Sequence, residues 1–327
     1  MLRIDIVVPV FNEGALLPVF HASLKNALAF LEAGAVRYIY VNDGSTDATQ
    51  EILTSLSASD RAIAVIELSR NFGHQAALSA GLWHADADIV IMMDGDGQHP
   101  PALLPRMLEL HDSGYDVVQG QRLDRGASLK RATSRTFYWL ISRVGSLSLA
   151  EGASDFRSIS RRVLLALREV PEYHRFYRGI IPWLGFRTSL LPYQPGERLA
   201  GSSKYSLRKM LRLAADGVFS FSLIPLKLGI VLGSVFLCLA ATEVVYVGSL
   251  WFSGKRTLLV PGWSSLIVIT TAGFGAMMVL LGFIGVYVGM IFQEVKRRPV
   301  YVVRSVMEGG VEAPRHDLPG SARAGAA

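Results

Sequence analysis

Two aspartates, Asp94 and Asp96, follow an apolar run in IVIMMDGDGQHPP (residues 89–101), and carboxylates so spaced are natural ligands for a hard divalent cation. In extended backbone, side chains two residues apart point the same way, and Gly95 between them lets the chain adapt. Gln98 offers a further, neutral oxygen. D-G-D-G by itself fits a solvated turn or a calcium loop as well as a nucleotide-metal site, although the EF-hand pattern lacks its later glutamate. Other carboxylates close earlier apolar runs: Glu13 follows IDIVVPV and Asp43 follows VRYIYVN. So many negative groups would repel a phosphate ligand unless a cation lay between them, and Mg2+ or Mn2+ takes one or two carboxylates together with phosphate oxygens and water. No G-x-G-x-x-G follows the first apolar run and no G-x-x-x-x-G-K-[ST] occurs, so dinucleotide Rossmann and P-loop chemistry are unsupported. His74 and His99 flank the acidic motifs without the partner spacing of a metal site and read as hydrogen-bonding or packing residues.

The elements that must carry these side chains are strands. Residues 4–10, 36–43, 62–69, 89–93 and 115–122 are apolar runs bounded by turn-formers, and helical stretches lie between them. That alternation predicts an α/β fold, a mostly parallel sheet flanked by helices, with acids delivered to the carboxyl ends of strands, where such sheets bind ligands. Asp43 has a second reading as a helix cap in the NDGSTD turn.

Beyond residue 200 the character of the chain changes. Residues 203–222 place Leu207, Leu211, Ala214, Val218 and Phe221 on one helical face, with Arg208, Lys209 and Arg212 on or beside the other, the pattern of an interfacial amphipathic helix. Residues 228–252 and 264–292 are each long and apolar enough to cross a bilayer, and Glu243 is the one acidic residue inside them, read as lying near an interface. Lys204, Arg208, Lys209, Arg212 and Lys227 precede the first span, while Lys296, Arg297, Arg298 and Arg304 follow the second. The loop between carries only Lys255 and Arg256, so the positive-inside rule puts both ends in the cytoplasm. The domains expected are 1–202 (catalytic), 203–225 (interfacial), 226–293 (two transmembrane helices joined by an external loop, 253–263) and 294–327, a partly disordered cytoplasmic tail.

Composition agrees with this division. Of 327 residues, 50% are hydrophobic, and the net charge of +6 is explained by basic residues flanking the spans. No RNP, zinc-finger or helix-turn-helix signature appears, which argues against a nucleic-acid partner. Cys238 is the single cysteine, excluding intrachain disulfides. The N-terminal MLRIDIVVPVFNE is too short in apolar residues for a signal peptide, and a cytoplasmic first domain is expected.

Six stretches in order, VVPVFNE (7–13), VNDGSTD (41–47), SRNFGHQAALSAG (69–81), MDGDGQHPP (93–101), SDFR (154–157) and GSSKYS (201–206), resemble the inverting family-2 glycosyltransferases. More narrowly they look like the polyprenyl-phosphate glycosyltransferases, among them bactoprenol glucosyltransferases and dolichol-phosphate mannose synthases. The resemblance spans roughly residues 4–300 and implies a GT-A type fold. It implies inverting transfer of one sugar from a nucleotide-diphosphate sugar, a UDP-sugar by expectation, to polyprenyl phosphate at a bacterial inner membrane, by a multi-pass protein that meets membrane lipids and forms a homo-oligomer, a tetramer in the family. Pro9, Val10, Asn12, Glu13, Asp43, Asn71, Gly73, Asp94, Arg198 and Lys204 match its nucleotide-binding positions, the last two in a loop over the donor pyrophosphate. Asp94, Asp96 and Gln98 match its metal-binding D-x-D-x-Q. Asp155 matches its catalytic carboxylate, expected here to orient rather than deprotonate an acceptor phosphate that is already anionic, with Asp96 holding the cation. Arg122, Arg131, Ser134 and Arg135 are candidates for the lipid phosphate, with Lys130 and Arg157 nearby. Ser202 stands where the family often has an acid. A processive polysaccharide synthase is the rival enzyme, but its Q-x-x-R-W motif and additional spans are missing. An inactive scaffold of the same fold is the other alternative, and the presence of Asp94, Asp96 and Asp155 argues against it.

Overall fold

The computed structural model describes residues 2–123, 153–170, 172–173, 175–196, scattered positions between 231 and 253, and 262–312. The chain divides into two compact units, residues 1–217 with 298–327, and residues 218–297.

In the first unit, β-branched and aromatic runs become strands β1 (Ile4–Val10), β2 (Val36–Asn42), β3 (Ile63–Leu68) and β4 (Ile89–Met92). They are followed by β5 (Val117–Arg122), β6 (Ala153–Ser160), β7 (Thr188–Tyr193), β8 (Val303–Glu308) and β9 (Val311–Glu312). These form one nine-stranded sheet in the order β7-β5-β6-β4-β1-β2-β3-β8-β9 among the described residues. Helices α1 (Leu17–Ala27), α2 (Thr49–Ser59), α3 (His74–His84) and α4 (Leu104–Asp112) follow the first four strands in turn.

The expectation of a mostly parallel sheet is corrected. β1, β2, β3 and β4 are mutually parallel where they pair, but β6 is antiparallel to both β4 and β5 and lies between them. The sheet is therefore mixed. A β–α–β alternation predicts β5 beside β4; instead ASDFRSIS enters that slot, and its many polar residues hid it from a hydrophobicity reading. Those residues are inside nonetheless: Asp155, Arg157 and Ser158 are buried, and the guanidinium of Arg157 donates to the carbonyls of Ser154 and Tyr177.

The expected tail is corrected in the same way. β8 pairs antiparallel with β3, and β9 folds back on β8, so residues 303–312 are part of the sheet. Val306 is buried, and Arg304, expected as a membrane-flanking charge, pairs with Glu67 of β3 at 2.7 Å. Residues 313–327 lie outside the described residues.

Pro9 sits in a central strand, where a missing N–H ordinarily costs a ladder bond. The pairing of β4 with β1 ends at Val7, whose carbonyl accepts from the Met93 N–H on that side. Residues two apart face the same neighbour, so the Pro9 nitrogen faces the side where the strands have already parted. The proline thus marks the point where the sheet splays open above β1 and β4.

Helix α3 lies close on β1 because Gly81 leaves room: a Cβ there would stand 2.2 Å from Val7 Cγ1 and 3.1 Å from Val41 Cγ2. On α1, buried His21 packs edge-on to Tyr38, with 4.9 Å between centroids, and its Nδ1 lies 3.0 Å from the Tyr40 hydroxyl.

In the second unit, Trp263–Lys296 is a 34-residue helix ended by Arg297 in the left-handed region. At 1.5 Å per residue it is about 50 Å long, against a bilayer core of roughly 30 Å. Its stretch Ala272–Lys296 is apolar enough to cross a membrane. The described positions between 231 and 252 are helical, but most of the first expected span, like the amphipathic segment 203–225, lies outside the described residues.

Two outcomes follow for stability. Gly81→Ala gains helix propensity but overpacks α3 on β1, and a net loss of about 1–3 kcal/mol is expected in chemical denaturation. Burial holds His21 below its ordinary 6.5, with Asp60 pulling it up and Lys25 pulling it down. Below 6.5 the unfolded chain therefore binds a proton that the folded chain resists, and stability falls with pH, by at most about 1.4 kcal/mol per pH unit from this group. Urea melts between pH 7 and 5 should show this slope, and His21→Gln should flatten it.

Candidate functional site

The parted strand ends of β1, β2 and β4 open into a cavity of about 330 Å3 lined by Pro9, Val10, Glu13, Asp43, Asn71, Gly73, His74, Asp94 and Asp96, among others. Residues read from four separate motifs therefore meet in one place, each brought there by the loop that follows β1, β2, β3 or β4.

The loops are tied to each other before they face the cavity. Asn12, in the left-handed region, accepts from the Thr46 N–H at 2.8 Å through its side chain, and its own N–H donates to Ser45 Oγ. Asp43 is buried, and its two carboxylate oxygens accept from the N–H groups of Phe72 (2.7 Å) and Gly73 (2.9 Å). Burial raises this carboxyl above its ordinary value, and the two N–H donors oppose the rise. Asp43 does not cap α2; at that helix start the Asp47 carboxylate accepts from the Thr49 N–H and hydroxyl. Gly44 makes this closure feasible: its φ is +66°, and a Cβ would meet the Arg70 backbone at 2.4 Å.

Asp94 faces two histidines. His99 is buried, stacks on Phe156 at 5.0 Å, and accepts the Asp94 N–H on Nδ1 at 2.8 Å. Its proton is thereby placed on Nε2, which lies 3.7 Å from the Asp94 carboxylate. Burial holds His99 below its ordinary value despite the pull of Asp94, Asp96 and Asp155. His74 places Nε2 3.6 Å from Asp94 and 3.4 Å from Asp155. Burial opposes its charging, but the two carboxylates prevail and raise it to about 9. His74 thus stands between the acids of two motifs, and both carboxylates favour its charged form.

Asp96 is held differently: Gln98 donates to it from its backbone N–H at 3.0 Å and from its side-chain amide at 2.5 Å. The side-chain oxygen of Gln98, Oε1, accepts from Arg122 at 3.0 Å, so it faces that guanidinium. The glycine freedom expected of Gly95 falls on Gly97, whose φ is +81°, while Gly95 is small because a Cβ would meet Glu13 Oε2 at 2.9 Å.

Asp155 is buried and accepts from Arg178 Nε at 3.0 Å and Nη2 at 2.8 Å. Burial would raise its pKa, but Arg178 and His74 hold the carboxyl well below the ordinary carboxylate range. Of the arginines considered near the lipid phosphate, Arg157 also lies 3.9 Å from this carboxylate. Arg178, in FYRG, belonged to no motif. Arg157 is closed off from any lipid phosphate, being 1% exposed with its donors on backbone carbonyls. Arg131, Ser134, Arg135, Arg198 and Lys204, with Lys130 and Ser202, lie outside the described residues.

Among the described residues no cluster of three or more His, Cys, Asp and Glu side chains is arranged to hold a metal ion. Asp94 and Asp96 offer hard oxygen donors at the cavity wall, which suits a Mg2+ or Mn2+ ion that draws its remaining ligands from a phosphate substrate and water.

Residues 5–167 match the family model described as glycosyl transferase family 2. A prophage bactoprenol glucosyl transferase homolog of Escherichia coli (strain K12) is 34% identical over 310 residues, covering 93% of this chain and 99% of that one. The SfII prophage-derived bactoprenol glucosyl transferase of Shigella flexneri is 36% identical over 315 residues, covering 94% and 99%. The uncharacterized glycosyltransferase YkcC of Bacillus subtilis (strain 168) is 36% identical over 306 residues, covering 93% and 94%.

The Asp43 tether carries its own test. Asp43→Ala removes the acceptor of two half-buried N–H groups, so stability should fall by about 1–2 kcal/mol, and the Phe72 and Gly73 amides should lose protection in hydrogen exchange.

Proposed function

This chain belongs to glycosyltransferase family 2, and from that premise we propose that it transfers one sugar from a UDP-sugar to polyprenyl phosphate, with inversion, at the cytoplasmic face of a bacterial inner membrane. The observation that carries the reading is the cavity where Asp43, His74, Asp94 and Asp96 meet, with Asp155 beside His74. Relatives named as bactoprenol glucosyl transferases, alike over nearly the whole chain, support the lipid acceptor.

Pro9, Val10, Asn12, Glu13, Asp43, Asn71 and Gly73 form the nucleotide half of the cavity. Asp94 and Asp96 would hold Mg2+ or Mn2+, which would supply positive charge against the departing nucleoside diphosphate. His74 adds a positive charge near the same phosphates and draws Asp94 toward Asp155. Asp155, kept ionised, orients the acceptor side. A phosphate nucleophile is already anionic, and a single in-line displacement needs one such carboxylate, not the pair used in glycoside hydrolysis. Arg122 stands beside the Asp96–Gln98 loop, where it meets an incoming anionic headgroup.

The chain's path supports an even number of membrane crossings. Residues before 218 and after 297 belong to the same unit, and β8 pairs with β3. A segment leaving and rejoining one domain on one side of a bilayer must cross it twice or not at all. With the helix Trp263–Lys296 as one crossing, residues 228–252 supply the other.

Purified full-length protein given polyprenyl phosphate and labelled UDP-sugars should yield a lipid-linked monosaccharide, and chelation should abolish it. Asp96→Asn should remove metal-dependent transfer by two orders of magnitude or more (a loss of about 2.7 kcal/mol or more of transition-state stabilisation). Polymer in place of a single lipid-linked sugar would instead indicate a processive synthase, and unchanged activity in Asp96→Asn would overturn the metal assignment.

A further inference from the structure

Asp155 lies between two arginines that do different work. Arg157, on the same strand, is 3.9 Å from its carboxylate, but its guanidinium hydrogen-bonds the carbonyls of Ser154 and Tyr177, each at 3.0 Å. It ties β6 to the start of the helix Tyr177–Trp183. The next residue on that helix is Arg178, whose side chain is 26% exposed and whose Nε and Nη2 take one carboxylate oxygen each. A carboxylate held by one hydrogen bond still turns about its Cβ–Cγ bond. A two-point fork fixes its plane, and only the rigid guanidinium matches both oxygens at once.

We propose that Arg178 is the positioning residue of the reaction centre, fixing the plane of the Asp155 carboxylate so that its remaining lone pairs address the acceptor; this inference rests on the transfer activity proposed above. The alternative, a pair kept for stability alone, is weakened by two observations. Arg157 already supplies the scaffold link between β6 and the helix. Buried ion pairs are also poor stabilisers, often replaced by apolar residues without loss, whereas this one faces His74, which lines the cavity. Arg178 acts through Asp155, and its effect belongs in turnover rather than in donor affinity.

The test uses full-length Arg178→Lys and Arg178→Gln, assayed with polyprenyl phosphate and the UDP-sugar that the parent accepts, with melting temperature measured on the same samples. Displacing a reacting group by about 1 Å costs on the order of 10²-fold, and a drop of that order in kcat is expected in both variants with the donor KM near the parent's. Lysine keeps the charge without the fork, so it should share most of the loss. Arg178→Ala should regain turnover with added methylguanidinium. Parental kcat in both variants overturns the inference, as does a loss that appears only in donor KM or that equals the unfolded fraction. A parent silent with every donor overturns the proposed transfer and this inference together. An active parent with equally active variants overturns the inference alone.

Discussion

Carboxylates crowded at the ends of parallel strands repel one another, and most of the local architecture answers that constraint. Burying an ionised group costs several kcal/mol unless hydrogen bonds or opposite charge replace the lost water. Each acid here has its own replacement: backbone N–H groups for Asp43, the Gln98 amide for Asp96, a guanidinium fork for Asp155. Asp94 alone is answered chiefly by imidazoles 3.6 and 3.7 Å away, too far for strong hydrogen bonds. Its side chain is 34% exposed, so water or a cation can reach it.

His74 illustrates how the constraint joins parts of the chain far apart in sequence. It opens helix α3, while its two anionic neighbours follow β4 and sit on β6. A local reading assigned it to packing or hydrogen bonding, which describes the contact but omits the charge. The charge arises only from the convergence of Asp94 and Asp155, and no window of neighbouring residues contains both.

That distinction separates what the sequence made legible from what it did not. The first four strands were readable because their buried apolar runs are continuous, and their motif acids Asp43, Asp94 and Asp96 were readable because they close those runs. β6 was not, since its buried polar residues are satisfied by partners such as His111 and Tyr177 that lie far along the chain. Arg178 escaped for the same reason: its importance lies in a contact with Asp155, 23 positions away. β8 was not picked out because an alternating VRSVME after a long apolar span looks like tail, and only the open edge of β3 gives it a place.

The late return of β8 has a consequence for biogenesis. During synthesis, β3 leaves the ribosome more than two hundred residues before its antiparallel neighbour, with the whole apolar unit between them. Until that unit has been made, the nascent domain displays an unpaired strand edge, a template for wrong association. Glu67 on that edge, later matched by Arg304 and Ser305, is a charge of the kind that discourages such pairing while the chain waits. Completion of the sheet therefore waits until the whole apolar segment has been made.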